Sequence, residues 1–177
     1  MTYVFVIFFL VLVIVSETSS KPTKGNNDTE MSNYGIDSSF LSSRGFRNNN
    51  PLNIKQFNND WLGEIGDDGT FVKFSSLPYG YRAAMKLMSN YKRKYAVDTF
   101  RTLIYRWSAT DKETYLSFVV SRVSERTGIN YVPDDYIDLD DPDYLYYLLE
   151  AMTELENGAT GFLMPVDLFE ESYSMLS

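Results

Sequence analysis

Tyr3 to Val15 form an unbroken apolar run, YVFVIFFLVLVIV, and no comparable run recurs in the chain. Its length matches the apolar core of a signal peptide and falls short of the ~20 residues a membrane-spanning helix requires. Residues 1–20 are therefore expected to be a signal peptide or membrane anchor, although no Lys or Arg precedes the run and VSETSS is a poor cleavage site. The following stretch, 21–39, is rich in Ser, Asn, Thr and Gly, shows no apolar period and reads as a flexible linker. A folded domain is expected over 40–177.

Inside that domain the apolar period is mostly helical. TFVKF at Thr70–Phe74 alternates apolar and polar after the turn signal GDDG, which predicts a short strand in a hairpin with residues near Leu52–Gln56. Ala83, Ala84, Leu87, Met88, Tyr91 and Tyr95 then recur at helical spacing. Asp98 is placed to cap a second helix with Phe100, Leu103, Ile104 and Trp107 on one face. TDKE at Thr110–Glu113 has the form of a capping box, opening a helix through Tyr115, Phe118, Val119 and Arg122 that ends at Gly128. Asp141 before Pro142 starts another, with Leu145, Leu148, Leu149, Met152 and Leu155 as its buried stripe and Gly158 as its stop. A last helix runs from Pro165 towards Met175. The predicted class is mainly α (α+β), a helical domain with a small β-hairpin.

Composition restricts the chemistry. The 177 residues contain neither His nor Cys, so a Ser-His-Asp triad, a thiol nucleophile, the usual zinc sites and disulfide staples are all excluded. Carboxylate, amide, hydroxyl and guanidinium groups remain, which suits glycoside cleavage by Asp or Glu, or binding alone; no cofactor or metal is implied. The formal charge is −8, and all 16 Lys and Arg lie at or before Arg126. That balance disfavours nucleic acid as a partner, and YKRKY at Tyr91–Tyr95 reads first as a helix end with well-placed cations.

RGFRNNNPLNIK, then WLGEIGDDGTFVKFSSLPYGYRAAMKLMSNYKRKYAVDTFRTLIYRW, TGI and finally MTELENG resemble a family of phage and prophage proteins labelled virion structural proteins or lysins. The likeness spans nearly all of Ser43 to Glu171 and departs after Arg106-Trp107, where Ser108, Ala109 and TDKETY stand in place of the family's Ala-Pro and later Glu-Asn. It implies a cell-wall setting with peptidoglycan glycan strands as partner, and the apolar run at the start adds the expectation of export, with a periplasmic, extracellular or membrane-anchored location. NNNPLNIK is also similar to the Asn-rich turn entering the hairpin of lysozyme-like glucosaminidases and transglycosylases, and LLEAMTELENG to the Glu-Ser-Gly end of the catalytic helix in soluble transglycosylases. Those likenesses imply a lysozyme-like domain whose parts come in rearranged order, since only Glu30 lies upstream of the turn.

On that reading Glu156 is the general acid and Glu64, or Asp68, the second carboxylate. Arg47, Asn48, Asn49 and Asn53 would bind amino-sugar substituents, and Trp61, Tyr79 and Tyr81 would stack on sugar faces. The plainer reading has the asparagines turning the backbone, Arg44 and Arg47 pairing with the acidic third, and the tryptophans in the core. Two functions stay open: a peptidoglycan glycosidase or lytic transglycosylase, and a non-catalytic virion or wall-binding module.

Overall fold

The computed structural model describes residues 27–176; the apolar run Tyr3–Val15, and with it the expected signal or anchor, lies outside the described residues. In chain order the elements are α1 (Asn27–Asn33), a 3-10 turn (Ser38–Ser42), α2 (Arg44–Arg47), β1 (Glu64–Asp67), β2 (Val72–Phe74), α3 (Leu77–Tyr95), α4 (Phe100–Trp107), α5 (Lys112–Thr127), α6 (Pro142–Asn157) and α7 (Val166–Ser174). A mainly helical body with a two-stranded antiparallel sheet is thus observed. Among the described residues no helix is long and apolar enough to cross a membrane.

Helix α5 packs against both α6 and α4, and α7 packs against α3. Leu145, Leu148, Leu149 and Met152 of α6 are all at or below 2% exposure, and burying each such side chain contributes about 1.5–3 kcal/mol. The helix starts and stops as its sequence dictates. The Asp141 carboxylate accepts from the Asp143 N–H at 2.9 Å, and Gly158 takes φ +60°, which costs glycine little.

Residues 27–39, expected as linker, are instead part of the body. Met31 and Ile36 are 1% and 7% exposed within the core, and the Glu30 carboxylate accepts the Leu77 N–H at 2.6 Å. Ser76 at the start of α3 makes no side-chain cap bond, so Glu30 satisfies an N-terminal donor of α3 from across the fold. Burial raises the Glu30 pKa, opposed by that N–H. A polar composition concealed two apolar anchors and a cap.

Three local expectations are also corrected. The hairpin partner of β2 is β1, in register Glu64 to Phe74 and Asp67 to Val72, because Asp68 accepts the N–H groups of Thr70 and Phe71 and closes the turn. Residues 54–56 flank the opposite edge, with Val72 N–H donating to Ile54 and Gln56 N–H to Thr70. Helix α4 is capped by Thr99, in a reciprocal box with Thr102, while the Asp98 carbonyl receives the Ile137 N–H. The expected box at Thr110–Glu113 does not form: Asp111 stands at the N-cap of α5 with φ +46° and no side-chain cap bond, and Glu113 is turned to Tyr105 and Arg101.

Candidate functional site

The recognisable motifs meet at one place, and glycine explains two of the contacts. A Cβ on Gly45 would collide with Asn157 Oδ1, and one on Gly80 would collide with the Asn49 carbonyl. Asn157 is the centre of the first contact, accepting from Ser43 Oγ at 2.8 Å and donating to the Pro51 and Thr153 carbonyls at 2.7 and 2.9 Å. Asn50 is wholly buried and ties the turn to the sheet, donating to Ile54 and Val72 while accepting the Ile54 N–H, all at 2.9 Å. Hydrogen bonds thus join the Arg-Gly-x-Arg-Asn-Asn-Asn turn to the Glu-Asn-Gly segment, and the Tyr-Gly-x-Arg segment packs against the turn through Gly80, making one knot.

Glu156 stands on the rim of that knot, half-buried in the last turn of α6. Its Oε2 accepts from Asn53 Nδ2 at 3.0 Å and its Oε1 from the Tyr115 hydroxyl at 2.9 Å. Asn53 adopts φ +50°, a conformation Asn tolerates better than most residues, and this turns its amide towards α6. Asn53 Oδ1 is buried without a hydrogen-bond partner. Burial and the adjacent Glu156 push the Tyr115 hydroxyl well above its ordinary pKa, so it stays a neutral donor.

The three glutamates of α6 have different surroundings. Glu150 and Glu154 are buried and face Arg126 at 2.9 Å and Arg122 at 2.8 Å from α5, and they also receive the Met164 and Gly161 N–H groups. Among the described residues no cation lies within ion-pair distance of Glu156. Its partners are neutral, and it sits where the α6 dipole is negative.

The other predicted residues divide. Tyr81 is fully buried with its hydroxyl 3.1 Å from Thr153 Oγ1, so it is a core residue and not a platform. Asn48 and Asn49 are 6% and 3% exposed and hold the hairpin: Asn48 donates to Asp68 at 2.8 Å and Asn49 to the Phe74 carbonyl at 3.2 Å. Their Nδ2 groups therefore donate inside the protein. Tyr79 lies over Gly63, and Trp61 is partly buried against the core with Nε1 unpartnered. Glu64 receives Gln56 Nε2 at 2.7 Å and the Trp61 N–H at 3.2 Å, and shares no hydrogen-bond partner with Glu156. Arg47 is exposed and donates to the Ser42 carbonyl, whereas Arg44 faces Asp68 at 3.7 Å and the Phe71 ring at 5.0 Å, not the acidic third.

Of the predicted set, Asn53 and Glu156 are brought together directly. The sequence pattern places Tyr115 on α5 without pointing to its contact with Glu156. The signal was available, because a buried tyrosine hydroxyl needs a partner. No group of His, Cys, Asp or Glu among the described residues could hold a metal ion. A shallow groove of about 560 Å³ lies on the outer side of α5, lined by Glu113, Thr114, Ser117, Phe118, Ser121 and Arg122, and contains none of the predicted residues.

No family model matches the chain. It is 34% identical over 129 residues to Protein P5 of Pseudoalteromonas phage PM2, a likeness covering 68% of this chain and 75% of that protein. At that identity and coverage, the chain belongs to the family of this phage protein.

Proposed function

We propose that the protein is a phage-derived glycosidase of peptidoglycan, acting as a lytic transglycosylase through Glu156. The observation that supports this reading is the environment of Glu156, a half-buried carboxyl held by two neutral donors while its neighbours on the same helix are neutralised by arginine. A carboxyl so placed can exchange a proton without first breaking an ion pair.

In this reading the protonated Glu156 gives its proton to the glycosidic oxygen as the C1–O bond breaks. The resulting carboxylate then removes the proton of the C6 hydroxyl of the same muramoyl residue as that oxygen bonds to C1, leaving a 1,6-anhydro end and restoring the acid. One carboxyl suffices for both steps. Glu64 and Asp68 have separate partners, which favours this route over hydrolysis with two acids. Export to the wall compartment, by the segment 1–20, belongs to the same proposal.

Zymography on purified peptidoglycan with mass analysis of the products tests it. The wild type should release anhydromuramoyl ends and Glu156→Gln should release none while melting at the same temperature. Full activity in Glu156→Gln would remove that residue from the mechanism. A second reading, a non-catalytic wall-binding or virion module, draws support from the internal use of Asn48, Asn49 and Asn50, which leaves the turn little to offer a ligand; it predicts binding to peptidoglycan without product release.

A further inference from the structure

The corner where α3 ends, α4 ends and α5 begins carries an unusual surface for an acidic protein. Among the described residues, no carboxylate lies within ion-pair distance of Arg93, Lys94, Arg106 or Lys112. Two of these cations are instead held by rings: Arg106 lies over Tyr95 at 3.5 Å and Tyr91 at 5.4 Å, and Lys112 over Tyr105 at 5.3 Å. Trp107 packs edge-on to Tyr91 and fixes the arrangement from below. Tyr95 and Tyr105 remain 52% and 40% exposed. Of the carboxylates nearby, Glu113 is engaged by Tyr105 and Arg101, and Asp111, at the α5 N-cap without a side-chain cap bond, lies outside ion-pair distance of these four cations.

The geometry points to this corner as a grip for the carboxylates of peptidoglycan stem peptides, so that the strand handled at Glu156 is a peptide-bearing one. The inference rests on the glycan reading above. Three observations select this ligand chemistry. A guanidinium held flat on a ring keeps its N–H edge free and pre-oriented, which suits a carboxylate better than a flexible cation does. One face of Tyr95 and one of Tyr105 is taken by a cation, which leaves less ring surface on which nucleic-acid bases could stack. The total charge of −8 repels a continuous polyanion or an anionic bilayer, while a discrete carboxylate on an otherwise uncharged glycan meets only the local field. The corner also adjoins the candidate acid: Lys112 and Tyr115 are three residues apart on α5, and Tyr115 donates to Glu156.

The test is co-sedimentation of the full-length Glu156→Gln protein with intact sacculi and with sacculi whose stem-peptide carboxylates have been converted to uncharged amides by carbodiimide coupling to ammonia. Adding Arg106→Gln and Lys112→Gln should weaken binding to intact sacculi about tenfold and leave binding to the amidated sacculi unchanged, since rim charges act through a ligand charge. The control pair Lys55→Gln and Lys73→Gln should change neither. Equal loss on both substrates, equal loss in the control pair, or corner-dependent binding to anionic vesicles instead of sacculi would overturn the inference. Corner-dependent binding to intact sacculi by a wild type that releases no product would leave it standing and remove the transglycosylase reading.

Discussion

At the scale of single residues, Gly45 and Tyr115 offer the sharpest tests. Gly45→Ala places a methyl group against Oδ1 of Asn157, a side chain already fixed by three hydrogen bonds. It should cost about 1–3 kcal/mol, the usual range for overpacking, read from the denaturant midpoint at unchanged slope. Tyr115→Phe removes the donor to Glu156 Oε1 but keeps the ring in the core; it should cost about 1 kcal/mol of stability. On the transglycosylase reading it should also slow product release, because the carboxyl loses one of the two donors that orient it. A rate identical to wild type would mean that the hydroxyl only fills space. Residue-level chemistry was partly legible in the sequence. Glu156 could be singled out because an acid at the negative end of a helix is unfavourable. The internal use of Asn48 and Asn49 could not, since an asparagine that turns the chain and one that binds a sugar look alike until their partners are known.

At the scale of elements, the helix ends at Asp141, Gly128 and Gly158 were legible, whereas the starts of α4 and α5, where several adjacent side chains compete to cap, and that of α3, capped from elsewhere, were not. Asp141, Gly128 and Gly158 announce themselves, but the acceptor for the Leu77 N–H comes from Glu30 in a different helix. Glu30→Ala should therefore destabilise the fold by about 1 kcal/mol, the ordinary cost of losing an N-terminal acceptor, and hydrogen exchange should quicken in the first turn of α3. The end of α3 offers the opposite sign. Ala96 closes it with φ +50°, a left-handed conformation that costs an L-residue about 1–2 kcal/mol. Ala96→Gly should relieve that strain and raise stability by about 0.5–1 kcal/mol after the larger entropy loss of glycine is subtracted. Equal or lower stability would show that the strain is already absorbed by neighbouring contacts.

Across the whole molecule, the segregation of charge seen in the sequence becomes contact between the basic part of the chain and its acidic third. Arg122 and Arg126 of α5 meet Glu154 and Glu150 of α6, and Lys92 of α3 meets Asp138 and Asp140. Glu150 gives this a pH signature. Burial raises its pKa, with the Met164 N–H and Arg126 opposing and Glu154 adding to the rise. A raised carboxyl binds protons more readily folded than unfolded, so its contribution is full below the ordinary glutamate range and is lost as pH climbs through the raised value. Glu150→Gln should therefore flatten the stability curve on the mildly acidic side and match or exceed wild type at neutral pH, measured by denaturant titration at stepped pH. Groups with lowered pKa act in the other direction. Asp134, held down mainly by Arg101, and Asp138, held down mainly by Lys92, withdraw their stabilisation as pH falls.

Asn157 has a consequence for how the molecule comes into being. Its bonds to Ser43 and Pro51 join positions more than a hundred residues apart. During synthesis the early turn emerges long before its counterpart leaves the ribosome, so the hairpin and its glycines wait without their keystone, and closure belongs to the last moments of translation or after release. A nascent chain stalled short of Asn157 should be cleaved by protease near the turn, and one extended beyond α7 should resist.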